Sequence, residues 1–184
     1  IIDADLIENR KFTVVVDAVN GAASLALPIM LEAFGCVVNR IYCDPNGEFP
    51  RGAEPLPHNL NKLCDAVLTY NADVGFATDP DGDRLAVVDE KGQPLGEEYT
   101  LTICADAFLS ATSSIVPLVT NLSTTMALDR VAEKYGSFVI RSAVGEINVV
   151  KQMKKTGALL GGEGNGGVIL AESHYGRDSL IGAT

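Results

Sequence analysis

The sequence predicts an α/β protein of two domains, each layered α/β/α around a largely parallel or mixed sheet. Short runs rich in valine and isoleucine alternate with longer amphipathic segments, which is typical of strands connected by helices. The small, polar segment at residues 111–114 interrupts this alternation, which then begins again. We therefore expect one domain at residues 1–110 and a second at residues 111–184.

The first predicted domain contains four strands and three helices. The β-branched run that ends at Asp17 and is followed by Asn20-Gly21 indicates a buried strand and then a turn. Gly35 is a C-terminal signal for the helix before it, and the proline-rich segment 44–57 must be a loop. The predicted strands are 12–16, 36–42, 74–78 and 85–89, and the predicted helices are 22–34, 59–70 and 97–109.

The second predicted domain repeats this organisation with apolar runs separated by amphipathic segments. The chain begins without methionine and stops in what resembles the start of a helix, so we expect a piece of a longer protein whose second domain is truncated. The predicted strands are 115–120, 137–141, a strand near 158–160, and 168–171, and the predicted helices are 124–135 and 146–155.

The composition restricts the class of partner and the compartment. A net charge of -10 argues against nucleic acid and anionic membranes, which require a basic surface. The four cysteines lie in apolar runs without metal-binding spacing, as reduced thiols in a cytoplasmic protein do. No apolar run reaches the roughly 20 residues of a membrane span, and no signal peptide is visible. We expect a cytoplasmic protein.

Three aspartates at alternate positions form the strongest motif. In an extended chain, alternate residues lie about 6.5 to 7 Å apart, too far to share a Mg²⁺ ion that binds oxygen at about 2.1 Å. The intervening Pro80 and Gly82 allow the backbone to curl tightly. Because three carboxylates and one arginine carry a charge that a divalent cation would neutralise, we predict a Mg²⁺ site at residues Asp79, Asp81 and Asp83, followed by Arg84.

Two other interpretations of this acidic loop compete with a metal site. A solvated turn rich in aspartate is the simpler one, but it gives no reason for three converging carboxylates. The aspartates also match positions 1, 3 and 5 of an EF-hand loop, yet Arg84 stands at position 6, where that loop requires glycine. A predicted strand follows directly, so an EF-hand is disfavoured.

The glycine-rich segment 161–167 formally contains a dinucleotide-binding pattern. That pattern requires a following helix and an acidic residue about 20 positions on, whereas here a strand follows and the count reaches Gly182. A plain hairpin turn is the simpler alternative. Glu163 and Asn165, however, offer a carboxylate and an amide of the kind that binds sugar hydroxyls.

In order and spacing, these motifs resemble the α-D-phosphohexomutase family of phosphoglucomutases and phosphomannomutases. Residues 79–84 resemble the metal loop of that family, in which three aspartates hold Mg²⁺, and residues 163–166 resemble its sugar-recognition loop. The resemblance covers the second domain and most of the third domain of the family. Weaker matches are residues 14–17, 20–21, 49–50, 54–57, 144–146 and 175–178.

The resemblance implies interconversion of hexose 1-phosphates and 6-phosphates through a phosphoserine and a bisphosphate intermediate. Arg84 would contact the phosphoryl group, and Glu163 and Asn165 would bind the sugar. Arg177 would reach a phosphate or form a surface salt bridge. The family's first domain, which carries the phosphoserine, and its fourth, which binds the substrate phosphate, lie outside the resemblance and would be partners of this chain.

Three positions depart from the family pattern, and one alternative function stays open. Asn165 replaces the usual serine, Gly167 stands where histidine is frequent, and Glu146 stands where some members have histidine. These departures leave the hexose preference open, whether mannose, glucose or glucosamine. A non-catalytic metal-binding or sugar-binding module on the same fold is the alternative to an enzyme.

Overall fold

The computed structural model describes residues 4–184 and contains two four-stranded mixed sheets. In each sheet three strands are parallel and the last is antiparallel to its neighbour, which confirms the predicted α/β class. The first sheet, in the order β2-β1-β3-β4, contains β1 (Thr13–Asp17), β2 (Val37–Ile41), β3 (Val74–Thr78) and β4 (Leu85–Val88). The second, in the order β6-β5-β7-β8, contains β5 (Leu118–Asn121), β6 (Val139–Ser142), β7 (Leu160–Glu163) and β8 (Gly167–Leu170).

Of the seven helices that the structure describes in residues 4–184, six correspond to predicted or expected helical segments, with ends that differ by a few residues. The exception is the first helix, which is only seven residues long and has no fully buried residue, so its apolar periodicity is too short to indicate a helix. Within residues 4–184, no helix is both long and apolar enough to cross a membrane. The helices are α1 (Ala4–Arg10), α2 (Ala23–Ala33), α3 (Asn61–Thr69), α4 (Glu98–Ser110), α5 (Ala127–Lys134), α6 (Glu146–Thr156) and α7 (Ser179–Ala183), with a 3-10 turn at Pro57–Asn59.

The two sheets have the same topology, so equivalent connections lie at equivalent places. The acidic loop joins β3 to β4, and the hairpin turn that contains Asn165 joins β7 to β8. Asp17 and Asn121 end the strands β1 and β5, which are the parallel neighbours of β3 and β7. Polar residues from both sheets therefore gather at carboxyl ends of strands, where ligands bind in open α/β sheets.

The strand predicted near 158–160 lies at Leu160–Glu163 instead, so it includes part of the glycine-rich segment. Gly161 and Gly162 lie within β7, and Glu163 is its last residue. A Cβ atom at Gly161 would lie 2.6 Å from Met153 Sδ on α6 and 2.7 Å from the Val119 carbonyl oxygen on β5. The glycine at this position therefore allows close packing inside the domain rather than approach to a ligand.

Helix α4 packs on the second sheet. Its apolar face, which includes Leu101 and Phe108, shares a buried cluster with Leu118 of β5 and Leu128 of α5. The sequence-based boundary after residue 110 groups α4 with the first sheet, because a small, polar segment follows the helix. We propose instead that the boundary lies before α4, since burial of an apolar face determines which sheet a helix belongs to.

The two domains meet where the acidic loop lies beside the β7–β8 hairpin. The backbone N–H of Leu85 donates to the Gly166 carbonyl at 3.0 Å, and Arg84 forms an isolated antiparallel bridge with Gly167. The Ser179 hydroxyl, at the start of α7, donates to the Gly82 carbonyl at 2.6 Å. These bonds place the predicted metal loop and the predicted sugar loop next to each other.

Candidate functional site

The acidic loop curls as its sequence predicts. One carboxylate oxygen from each of Asp79, Asp81 and Asp83 lies within 4.8 Å of the other two, an arrangement that could hold a metal ion. Asp79 is buried directly after β3, Asp81 is exposed, and Asp83 is half-buried. The three carboxylates thus surround one point, with Asp79 on the buried side and Asp81 on the side open to solvent.

Asp79 anchors this loop through both carboxylate oxygens. Its Oδ1 accepts hydrogen bonds from the backbone N–H groups of Asp83 at 3.1 Å and Arg84 at 3.0 Å. Its Oδ2 accepts from Arg84 Nε at 2.5 Å. Burial alone would raise the pKa of Asp79, but the hydrogen bonds and charge of Arg84 outweigh it and lower the pKa. Asp79 is therefore ionised at neutral pH.

Asp83 supplies the observation that tests whether the loop fits a metal ion. Its Oδ2 accepts a hydrogen bond from Arg177 Nη2. Its Oδ1 is buried without a hydrogen-bond partner, and Arg84 Nε lies 3.7 Å from it. Burial and the neighbouring charge of Asp79 raise the pKa of Asp83 to about 6. A buried oxygen without a partner is costly unless a ligand satisfies it. Carboxylate oxygens are the ligands that Mg²⁺ and other hard cations prefer, so these residues fit a divalent cation.

All three nitrogens of the Arg84 guanidinium group donate hydrogen bonds to carboxylates. While its Nε bonds Asp79, its Nη1 and Nη2 donate to the two oxygens of Glu54, the second bond at 3.0 Å. Glu54 comes from the proline-rich loop 44–57, and its side chain is 49% exposed. No site role for Glu54 was evident in the sequence, because only the fold brings this loop against the acidic loop.

Glu163 is a buried carboxylate with a donor on each oxygen. Its Oε1 accepts from Asn121 Nδ2 at 2.7 Å and from the Gly145 N–H at 3.1 Å. Its Oε2 accepts from Arg177 Nη1 at 2.9 Å. Asn165, at the tip of the same hairpin, is partly exposed and its Oδ1 accepts from the Gly167 N–H at 3.2 Å. The two predicted sugar ligands therefore differ in accessibility.

Arg177 connects the two motifs. Its guanidinium group bonds Asp83 of the acidic loop and Glu163 of β7, and its backbone N–H donates to Glu146 Oε1 at 3.0 Å. Its side chain is only 17% exposed. The sequence left open a phosphate contact or a surface salt bridge for Arg177. The ion pairs of Arg177 are largely buried and join the two domains, and a contact with phosphate stays a prediction.

A second buried ion pair lies at the end of β3, just before the acidic loop, and was not identified in the sequence. Arg51 Nε donates to Asp17 Oδ2 at 2.9 Å, and its Nη2 donates to the Thr78 carbonyl at 2.6 Å, one residue before Asp79. Burial raises the pKa of Asp17, although the Arg51 charge and hydrogen bond oppose that effect. Nothing in the local sequence links residues so far apart in the chain.

Gly21→Ala is expected to disturb the acidic loop. A Cβ atom at this position would lie 2.4 Å from the Pro80 carbonyl oxygen, which also accepts a hydrogen bond from the Ala22 N–H at 2.8 Å. Overpacking of this kind costs about 1 to 3 kcal/mol of unfolding free energy, which urea denaturation measures. Gly182→Ala is the matched control, because its Cβ would meet only side-chain atoms at 3.2 Å or more. Equal losses in both variants would contradict this role for Gly21.

The fold and the site together define a class of protein. It is a pair of α/β domains with mixed sheets, in which an acidic loop suited to a divalent cation lies beside a polar hairpin. Residues 1–92 match the family model described as phosphoglucomutase/phosphomannomutase, alpha/beta/alpha domain II, and residues 96–184 match the model of domain III. The chain belongs to the phosphoglucomutase/phosphomannomutase family, as its motifs predicted.

Individual relatives agree with this assignment. The chain is 38% identical to a phosphoglucomutase/phosphomannomutase of Thermococcus kodakarensis, with 98% of this chain and 40% of that protein covered. It is 35% identical to a phosphomannomutase/phosphoglucomutase of Pseudomonas putida, with 94% and 37% covered. A crystal structure of a family member from Burkholderia thailandensis matches with a TM-score of 0.84 at 29% identity, covering 98% of this chain and 42% of that one. The chain thus spans about 40% of the length of the curated relatives it matches.

The two family matches meet between residues 92 and 96, on the N-terminal side of α4. This position supports the domain boundary that we propose from the packing of α4 on the second sheet.

Proposed function

We propose that this chain supplies the metal-binding and sugar-binding domains of a phosphohexomutase that interconverts hexose 1-phosphates and 6-phosphates. One observation carries the proposal: the acidic loop and the Glu163 hairpin lie side by side, joined through Arg177. A phosphoryl group at the metal and the hexose that carries it would then both be within reach of one site. Family membership supports the same reaction class.

The three aspartates are proposed to hold Mg²⁺, each with one oxygen. Asp79 is fixed by its hydrogen bonds, Asp81 faces solvent and Asp83 offers its unpartnered Oδ1. A bound Mg²⁺ would supply charge neutralisation and polarisation of a phosphoryl oxygen. The protein's own contribution is to hold these oxygens in place, since phosphoryl transfer depends chiefly on positioning and electrostatics.

Arg84 is proposed to contact the transferring phosphoryl group. Its Nε stays with the buried Asp79, which fixes the guanidinium plane beside the metal loop. Its two terminal nitrogens are paired with Glu54, whose side chain is half exposed. Exposed ion pairs contribute little net stability, so a phosphate with matching geometry can replace Glu54 at small cost.

Glu163 and Asn165 are proposed to bind the hexose hydroxyls. Asn165 is the more accessible of the two, and an amide both donates and accepts hydrogen bonds. Glu163 already accepts bonds from three donors, so a hydroxyl would add to a carboxylate whose position is set beforehand. The phosphoserine and the residues that bind the substrate phosphate are proposed to come from further domains of a longer, cytoplasmic polypeptide.

The test is an assay of the full-length protein that contains this chain, with the 1-phosphates of glucose, mannose and glucosamine as substrates. We expect conversion of at least one of them to its 6-phosphate, loss of turnover on chelation, and recovery with Mg²⁺. The 184-residue chain alone is expected to give no turnover, because its phosphoryl donor is proposed to lie elsewhere. Absence of conversion in the full-length protein, with metal binding retained, would instead indicate a binding module.

A further inference from the structure

Arg177 meets carboxylates from three separate segments of the chain. Its two terminal nitrogens bond Asp83 of the acidic loop and Glu163 of β7. The third carboxylate is Glu146, at the first turn of α6, whose Oε2 lies 3.7 Å from Arg177 Nε. One cation therefore holds a residue of the first domain and two residues of the second.

The surroundings of Arg177 make this contact specific. The side chain is largely buried, and its Nε is buried without a hydrogen-bond partner of its own. Hydrogen bonds between charged groups are stronger than neutral ones, and the planar guanidinium fork fixes the direction of each. Arg177 binds only Oδ2 of Asp83, so its pairing also leaves Oδ1 of the same carboxylate available to a metal ion.

We propose that Arg177 is a positioning residue that couples the metal site to the sugar site. It orients Asp83 for the cation and Glu163 for the hexose, and the two carboxylates share its charge. A change at Glu163 therefore alters how strongly Arg177 holds Asp83, and with it the affinity of the acidic loop for metal. This inference rests on the proposed metal and sugar sites, but it assigns Arg177 a role other than direct contact with substrate.

Isothermal titration of the 184-residue chain with Mn²⁺ alone tests the coupling through a double-mutant cycle. Arg177→Met is expected to weaken Mn²⁺ binding about tenfold, as loss of a group that orients a metal ligand does. Glu163→Gln is expected to weaken it at least about threefold, because Arg177 then loses its charged anchor at Glu163 and holds Asp83 less firmly in orientation. In the Arg177→Met background the same Glu163→Gln change is expected to have an effect below about twofold, since the coupling residue is gone.

Two further variants guard against trivial explanations. Arg130→Met removes an arginine from an exposed ion pair with Glu133 in the same domain, and we expect it to leave Mn²⁺ affinity unchanged. If thermal unfolding followed by circular dichroism shows that Glu163→Gln does not fold, Glu146→Gln replaces it in the cycle, because Glu146 is only half-buried. It is expected to weaken binding in the same direction by a smaller factor, again only when Arg177 is present.

The outcomes separate this inference from the proposed function. Additive effects in the cycle, or Mn²⁺ binding in Arg177→Met that equals or exceeds that of the unaltered chain, would overturn the coupling role while leaving the metal site intact. Binding that is absent from the unaltered chain, or that does not depend on Asp81, would overturn the metal site and the coupling together.

Discussion

Asp81→Asn is expected to abolish phosphoryl transfer by the full-length enzyme while leaving the fold intact. Asp81 is the exposed member of the acidic triad, so its replacement by an isosteric amide disturbs no buried contact. The amide lacks the charge that holds a divalent cation. A metal ion supplies several kcal/mol of charge stabilisation, so turnover in a coupled assay of 6-phosphate formation should fall by roughly 10³-fold.

Asp65→Asn is the matched control for this variant. It makes the same chemical change at an exposed position on α3, away from the acidic loop. Both variants should unfold thermally within a few degrees of the unaltered protein, since exposed substitutions of this kind change stability little. Turnover of Asp81→Asn near the rate of Asp65→Asn would refute the assignment of the metal ligands.

Arg51→Met is expected to cause the largest loss of stability among the variants considered. The side chains of Arg51 and Asp17 are only 5% and 1% exposed, and the pair also holds the end of β3 through the Thr78 carbonyl. Removing one partner leaves a buried carboxylate without its counter-ion, which typically costs about 3 to 5 kcal/mol. Urea denaturation measures this loss as a lower midpoint.

Two companions show whether the buried charge is the cause. Arg40→Met removes an arginine from the exposed pair with Glu32 and should cost less than about 1 kcal/mol. Adding Asp17→Asn to Arg51→Met should recover part of the stability, because the uncompensated charge is then absent. If Arg40→Met and Arg51→Met lowered stability equally, the Arg51–Asp17 pair would not have the structural role described above.

Most elements of the fold were predictable because their apolar periodicity matches their burial. β1 carries consecutive buried valines, and α3 buries Leu63 and Val67 on one face. The prediction did not extend to α1, which has no fully buried residue, or to Gly161 of β7, which allows close packing against Met153. It also grouped α4 by position in the chain, whereas tertiary packing places this helix on the second sheet.

The candidate site was predictable only where its residues are close in sequence. The spacing of the three aspartates indicated a curled loop, and the structure brings their oxygens together. The partners of that loop come from distant segments: Glu54 from the proline-rich loop, and Arg177 from the segment before α7. Arg51, also from the proline-rich loop, bonds the Thr78 carbonyl just before the acidic loop. Such contacts depend on how sheets and loops pack, which local patterns do not encode. The Mg²⁺ ion and the roles of Glu163 and Asn165 stay predictions.

X-ray diffraction at the manganese absorption edge, from crystals of this chain soaked in Mn²⁺, tests the central claim most directly. We expect one strong anomalous peak inside the acidic loop, in contact with an oxygen from each of Asp79, Asp81 and Asp83, and its loss in Asp81→Asn. No peak at the loop, or a peak on Glu163 and Glu146 instead, would contradict the account.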